Sequence, residues 1–176
     1  MKPSDNKKVE RQHAANSVMF GVYLLFLVWA ILWKCRVPFI GGTERVINLI
    51  PFSGNAGYEK LFNLVLFVPL GLYIAAIAKI HGVIKQIITV FAVSLVFEIL
   101  QYTLAIGSSD TTDLILNTFG GASGIAGFFL LKKLSGKHTN KVVLIAGGII
   151  TTVVLYCTVS FIVLGTLYIG RMMFRM

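Results

Sequence analysis

Five long apolar runs constrain this chain more than any other feature, at residues 15–33, 61–80, 83–106, 114–131 and 142–169. Each is near or above the ~20 residues that a helix, rising ~1.5 Å per residue, needs to cross a hydrocarbon core ~30 Å thick. Composition points the same way: 56% of residues are hydrophobic and only 13% charged, outside the range of a soluble domain of 176 residues. The expectation is an all-α fold, a polytopic membrane helical bundle with about five transmembrane helices and its termini on opposite sides. The first run reads as a retained helix. No small-x-small cleavage site follows it, and Trp33 and Lys34 spoil a lipobox before Cys35.

In a membrane protein the place of each charge matters more than the net charge of +9. Ten basic residues fall on the side of the N-terminus: Lys2, Lys7, Lys8 and Arg11, Lys79 and Lys85, then Lys132, Lys133, Lys137 and Lys141. Six fall on the other: Lys34, Arg36, Arg45, Lys60, Arg171 and Arg175. The positive-inside rule then predicts a multi-pass membrane protein with a cytoplasmic N-terminus, and places loop 106–112 outside. The basic excess is accounted for without nucleic acid, and none is expected as a partner. Cys35 and Cys157 lie at different depths, which argues against a disulfide and for small apolar fillers.

The chain divides into a polar cytoplasmic tail (1–14) expected to fray or lie at the interface, a first helix (15–33), an outer interfacial loop (34–60), a three-helix core (61–131), a cytoplasmic loop (132–141), and a fifth helix with its tail (142–176). Within the outer loop, ERVINLIPF (44–52) is amphiphilic and SGNAGYEK (53–60) is turn-forming. Pro69 and Gly71 predict a kink whose freed carbonyl needs a neighbour. Gly120 and Gly124 make a Gly-x-x-x-Gly pair, which lets another helix approach closely. No inverted repeat is visible, which weakens a transporter reading.

Against this oily background, FEILQYTLAIGSSDTTDLILNTFGG (97–121) carries three acids and two amides. Glu98 and Gln101 share one helix face. Glu98 is either a neutral acid that joins helices, with Gln101 as its hydrogen-bond mate, or part of a polar site. Asp110 suits a helix N-cap, with Asp113 three residues on favouring the helix dipole. Asn117 lies one turn beyond Asp113, so the polar stripe continues into the membrane. A six- or seven-residue turn makes these two helices antiparallel neighbours, and the stripes then form two walls of an outward-facing polar pocket. Arg45 is the cation placed to compensate it, with Asn48 at spacing three. Asn63, in the first turn of its helix, can also reach it. Arg45 reads equally as a headgroup anchor and Asn63 as a helix-start residue.

All three histidines fall on the opposite side, which excludes a Ser/His/Asp triad and a His-bearing metal site among the outer acids. Carboxylates alone are a weak metal signal, and no Walker, Gly-x-Gly-x-x-Gly or Cys-x-x-Cys motif occurs. No cofactor or metal is expected.

RVINLIPF (45–52), FNLVLFVPLGLY (62–73), FEILQ (97–101) and DTTDLILNTFGG (110–121), in that order, resemble the VanZ-like family of bacterial membrane proteins. Many members carry a basic residue shortly before the first Asp, where this chain reads Gly107, Ser108 and Ser109. The resemblance implies an integral membrane protein of the envelope, in a family whose founding member is associated with resistance to glycopeptide antibiotics, teicoplanin especially. Three expectations stay open. One is a nonenzymatic protein whose pocket binds a membrane lipid or a lipid-linked cell-wall precursor. The others are an intramembrane enzyme on an envelope lipid with Glu98 or Asp113 as general acid/base, and a small transporter. Oligomeric state is not legible.

Overall fold

A computed structural model describes residues 3–34, 45–52, 58–77, 80–106 and 109–173. Cys35 and much of the expected outer loop therefore lie outside the described residues. Five α-helices alternate in direction: α1 (Pro3–Lys34), α2 (Tyr58–Ile77), α3 (Val83–Leu104), α4 (Thr111–Ser135) and α5 (Thr139–Met173). Four stretches are long and apolar enough to cross a membrane: Glu10–Ile31, Lys60–Ile77, Val83–Leu104 and Thr111–Cys157. The last holds α4 and much of α5, broken by a 3-10 turn at Gly136–His138, so the expectation of about five helices holds.

Three boundaries differ from the sequence reading. Helix α1 begins at Pro3, so the polar stretch is continuous with the first helix. The expected loop at 132–141 contracts to a single turn, because α4 runs on through Lys132 and Lys133 to Ser135 and α5 resumes at Thr139. Gly136 makes that turn possible with φ of +51°, a conformation that residues with a Cβ seldom adopt. Helix α2 starts at Tyr58, which puts Asn63 in its second turn and buries it; it is not a helix-start residue.

Helix α3 is sorted inside out relative to a helix of a soluble bundle. The buried residues of α3 include Gln86, Ser94, Glu98 and Gln101, whereas Ile84, Ile88 and Ile99 on the same helix are exposed. Lipid accepts the apolar face, so polar side chains turn to protein partners.

Close approach of α2 and α4 holds the centre. A Cβ on Gly120 would lie 2.1 Å from the Leu64 carbonyl oxygen, and one on Gly124 would lie 2.0 Å from that of Val68. From the other side, a Cβ on Gly71 would lie 1.8 Å from the Gly121 carbonyl oxygen. Residues 120 and 124 meet 64 and 68 in the same order, so α2 and α4 run parallel, with α3 antiparallel beside them where Val90 packs on Gly121. The predicted small-residue contact is present, and its partner is α2 backbone.

Pro69 sits inside α2 without ending it. Its missing N–H leaves the Val65 carbonyl without its usual donor, and one residue along, the Tyr23 hydroxyl of α1 donates to the Leu66 carbonyl. Tyr23 and Tyr73 are fully buried, with ring centroids 5.9 Å apart, and the Tyr73 hydroxyl lies 3.4 Å from Thr151 Oγ1. These tyrosines join α1, α2 and α5 around Pro69.

Candidate functional site

The polar stripe converges where α3 ends and α4 begins. Helix α3 stops in a Schellman arrangement: Ala105, at φ of +50°, donates its N–H to the Tyr102 carbonyl, and the Ile106 N–H reaches Gln101. The chain returns as a two-residue strand, β2 (Ser109–Asp110), which pairs in parallel with β1 (Ile47–Asn48). The Ser109 N–H donates to the Val46 carbonyl at 3.0 Å. The segment at 45–52 is thus fastened to the mouth of the α3–α4 hairpin.

Asp110 is the N-cap of α4, as its position predicts: its Oδ1 accepts from the Thr112 N–H at 2.7 Å. Its Oδ2 accepts from Asn48 Nδ2 at 3.2 Å. Burial by itself would raise the Asp110 pKa, but the Thr112 and Asn48 hydrogen bonds and the charge of Lys60 outweigh it and hold the carboxyl below its usual value. Asp113 occupies the third helical position. The N-cap amide that a capping box would hand to that acid goes to Glu98, whose Oε2 accepts from the Asp110 N–H at 2.9 Å and from Ser109 Oγ at 3.1 Å.

Deeper along the same face, Asn117 Nδ2 donates to Ser94 Oγ at 2.9 Å, and both residues are buried. Val90 against Gly121 and Ser94 against Asn117 set an antiparallel register whose next step places Glu98 opposite Asp113. Their carboxylates are close enough for like-charge interaction. Further bonds close the rim: Thr111 Oγ1 donates to the Asn48 carbonyl at 3.0 Å, and the Phe52 N–H donates to Thr112 Oγ1 at 2.9 Å.

The structure therefore brings together Asn48, Glu98, Asp110, Asp113 and Asn117, with Gln101 buried one turn from Glu98 and Asn63 buried in α2. Arg45 is exposed at the start of the pinned segment. The cation whose field reaches Asp110 is Lys60, which the sequence reading counted only for topology. Ser94, Ser109, Thr111 and Thr112 were also missed, since a hydroxyl in an apolar run carries no signal until its partner helix is known. Among the described residues no group of three or more His, Cys, Asp and Glu is arranged to hold a metal ion. Cys157 is a free, exposed thiol.

Around this polar cluster the pinned segment turns apolar side chains outward, with Leu49 75% and Ile50 69% exposed, and Ile47 and Phe52 beside them. The site thus joins one buried acid, Glu98, and two half-buried ones to an apolar rim of the kind that rests in a membrane interface.

The VanZ/LLP1 family model matches residues 20–132. Protein VanZ of Enterococcus faecium is 34% identical over 127 residues, covering 70% of this chain and 76% of that protein. No solved structure matches the chain.

Proposed function

The chain belongs to the VanZ/LLP1 family, and from that premise we propose that it is an envelope protein that contributes to glycopeptide resistance by binding the polar headgroup of a membrane lipid or lipid-linked cell-wall precursor. The binding surface is the rim where the 45–52 segment meets the start of α4, facing outward from the cytoplasmic membrane. The observation that carries this reading is the junction at Glu98. A membrane-depth acid accepts from Ser109 and the Asp110 amide, next to Asp113, beneath an exposed apolar rim. An amphiphile offers both halves of the complement: a polar head for the acids and amides, and acyl chains for Leu49, Ile50 and Phe52. Ten basic residues against six support the orientation.

The test is teicoplanin susceptibility of a deletion strain complemented with Glu98→Gln or Asp113→Asn, normalised to membrane abundance, alongside binding of a lipid-linked precursor to the purified variants. Both variants should lose resistance and ligand together. Retained binding with lost turnover of an envelope lipid would move the site to the enzyme class, and full resistance from both variants would end the proposal.

A further inference from the structure

At the end of the bundle opposite the β1–β2 bridge, a cleft of about 500 Å³ opens between α1 at His13, the last turns of α2 and α4, the first turn of α3 and the start of α5. Its volume falls within the ~300–1,000 Å³ of small-molecule sites. Among the described residues, every titratable side chain lining it is a histidine or a lysine: His13, His81, Lys132 and Lys137. No carboxylate is among the described lining residues, although acids occur elsewhere on the chain.

Two further features point to a ligand. Gly82, the N-cap of α3, lines the cleft and offers no side-chain cap, so the positive dipole end of a 22-residue helix lies beside it. Gln86, only 5% exposed, also lines it. Its Nε2 donates to the Ile80 carbonyl at 3.0 Å, which fixes the amide orientation and leaves the buried Oε1 with no hydrogen-bond partner. A buried acceptor in that state asks for a donor. The wall opposite is braced, since Asn140 Nδ2 lies 3.0 Å from His13 Nε2 and Asn16 donates to the Asn140 carbonyl at 3.2 Å. Phe128 and Phe129 make the remaining side apolar.

We propose that this cleft binds a phosphate-bearing anion with a neighbouring hydroxyl or ammonium donor. Lys132, Lys137 and the α3 amides take the phosphate, and Gln86 Oε1 takes the donor. The same chemistry comes from a lipid headgroup, whose chains would lie along Phe129, or from a soluble phosphorylated metabolite. The site is separate from the one at Glu98 and does not depend on it. Basic pockets between membrane helices are suited to anionic headgroups, because each lysine adds attraction to the negative charge.

The experiment uses the full-length chain in nanodiscs and in detergent. Phosphatidylglycerol, phosphatidylmethanol (which lacks the free hydroxyls) and phosphatidylcholine are titrated as lipid probes, and glycerol phosphate as the soluble one. Wild type should prefer phosphatidylglycerol over phosphatidylcholine. The double variant Lys132→Gln/Lys137→Gln, at exposed positions, should weaken that binding roughly tenfold per lysine lost while keeping its helical circular dichroism. Gln86→Leu should erase the preference for phosphatidylglycerol over phosphatidylmethanol. Lipid binding alone assigns a headgroup site. Binding of glycerol phosphate with the same lysine dependence assigns a soluble ligand. Absence of both, or binding that the lysine variants leave unchanged, overturns the proposal.

Discussion

Replacing Gly124 with alanine adds one methyl group where α4 meets the backbone of α2. The new Cβ would stand 2.0 Å from the Val68 carbonyl oxygen and 2.8 Å from the Leu72 nitrogen. Ordinary contact begins at 3.4 Å, so α4 must withdraw from α2 by about 1.4 Å. Both obstacles are backbone atoms in mid-helix, and no rotamer change relieves them. The displacement also opens the Gly71 and Gly120 contacts with the same pair of helices. A gap of ~0.5–1 Å already forfeits a quarter to a half of each dispersion well. The cost should therefore sit near the upper end of the ~1–3 kcal/mol typical of overpacking. Gly127 is the internal control: it lies on the same helix, nothing stands within 4 Å of its Cβ position, and alanine there should be neutral or gain up to ~1 kcal/mol from helix propensity. The assay is the apparent melting temperature in detergent, followed by size-exclusion after heating, together with membrane abundance. Gly124→Ala should melt lower and accumulate less than Gly127→Ala. Equal melting and equal abundance would refute the claim that backbone contact between α2 and α4 holds the core.

Ala105→Gly should stabilise the α3 C-terminus by several tenths of a kcal/mol, because the residue sits at φ of +50° where glycine has no Cβ penalty; a lower melting temperature would show that the buried methyl matters more. The Asp110 carboxyl is held below its usual pKa, so its stabilising contribution is present above the unfolded pKa and is lost as pH falls through the folded one. Wild type should consequently lose stability relative to Asp110→Asn on acidification, and parallel pH profiles would contradict this. In a background without Cys35 and Cys157, Leu49→Cys should react with an impermeant thiol reagent added outside cells and Ser135→Cys should not; the reverse pattern would move the Glu98 site to the cytoplasm.

Long apolar runs, loop charges and four short motifs determine that this is a helical membrane protein of the VanZ/LLP1 family, because a hydrocarbon core demands helices of a set length whatever their neighbours. Local chemistry was equally legible at Asp110, whose capping bond spans only two residues. The polar pattern of Glu98 with Gln101 on one helix and Asp113 with Asn117 on the next was visible, since helical spacing puts such residues on one face. Its partners were not. Ser94 meets Asn117 only through the α3–α4 register, and Lys60 reaches Asp110 across fifty residues of chain. The β1–β2 pairing has two residues per strand, too few for an alternating pattern, so nothing local announces that segment 45–52 is fastened to Ser109. The glycines of α4 signal a close contact, but a small side chain fits any approaching backbone, and only the packing selects α2. The basic cleft is furthest from the sequence. Its walls come from five helices, and a lysine at a helix end is a topological signal until tertiary structure sets it beside Gln86.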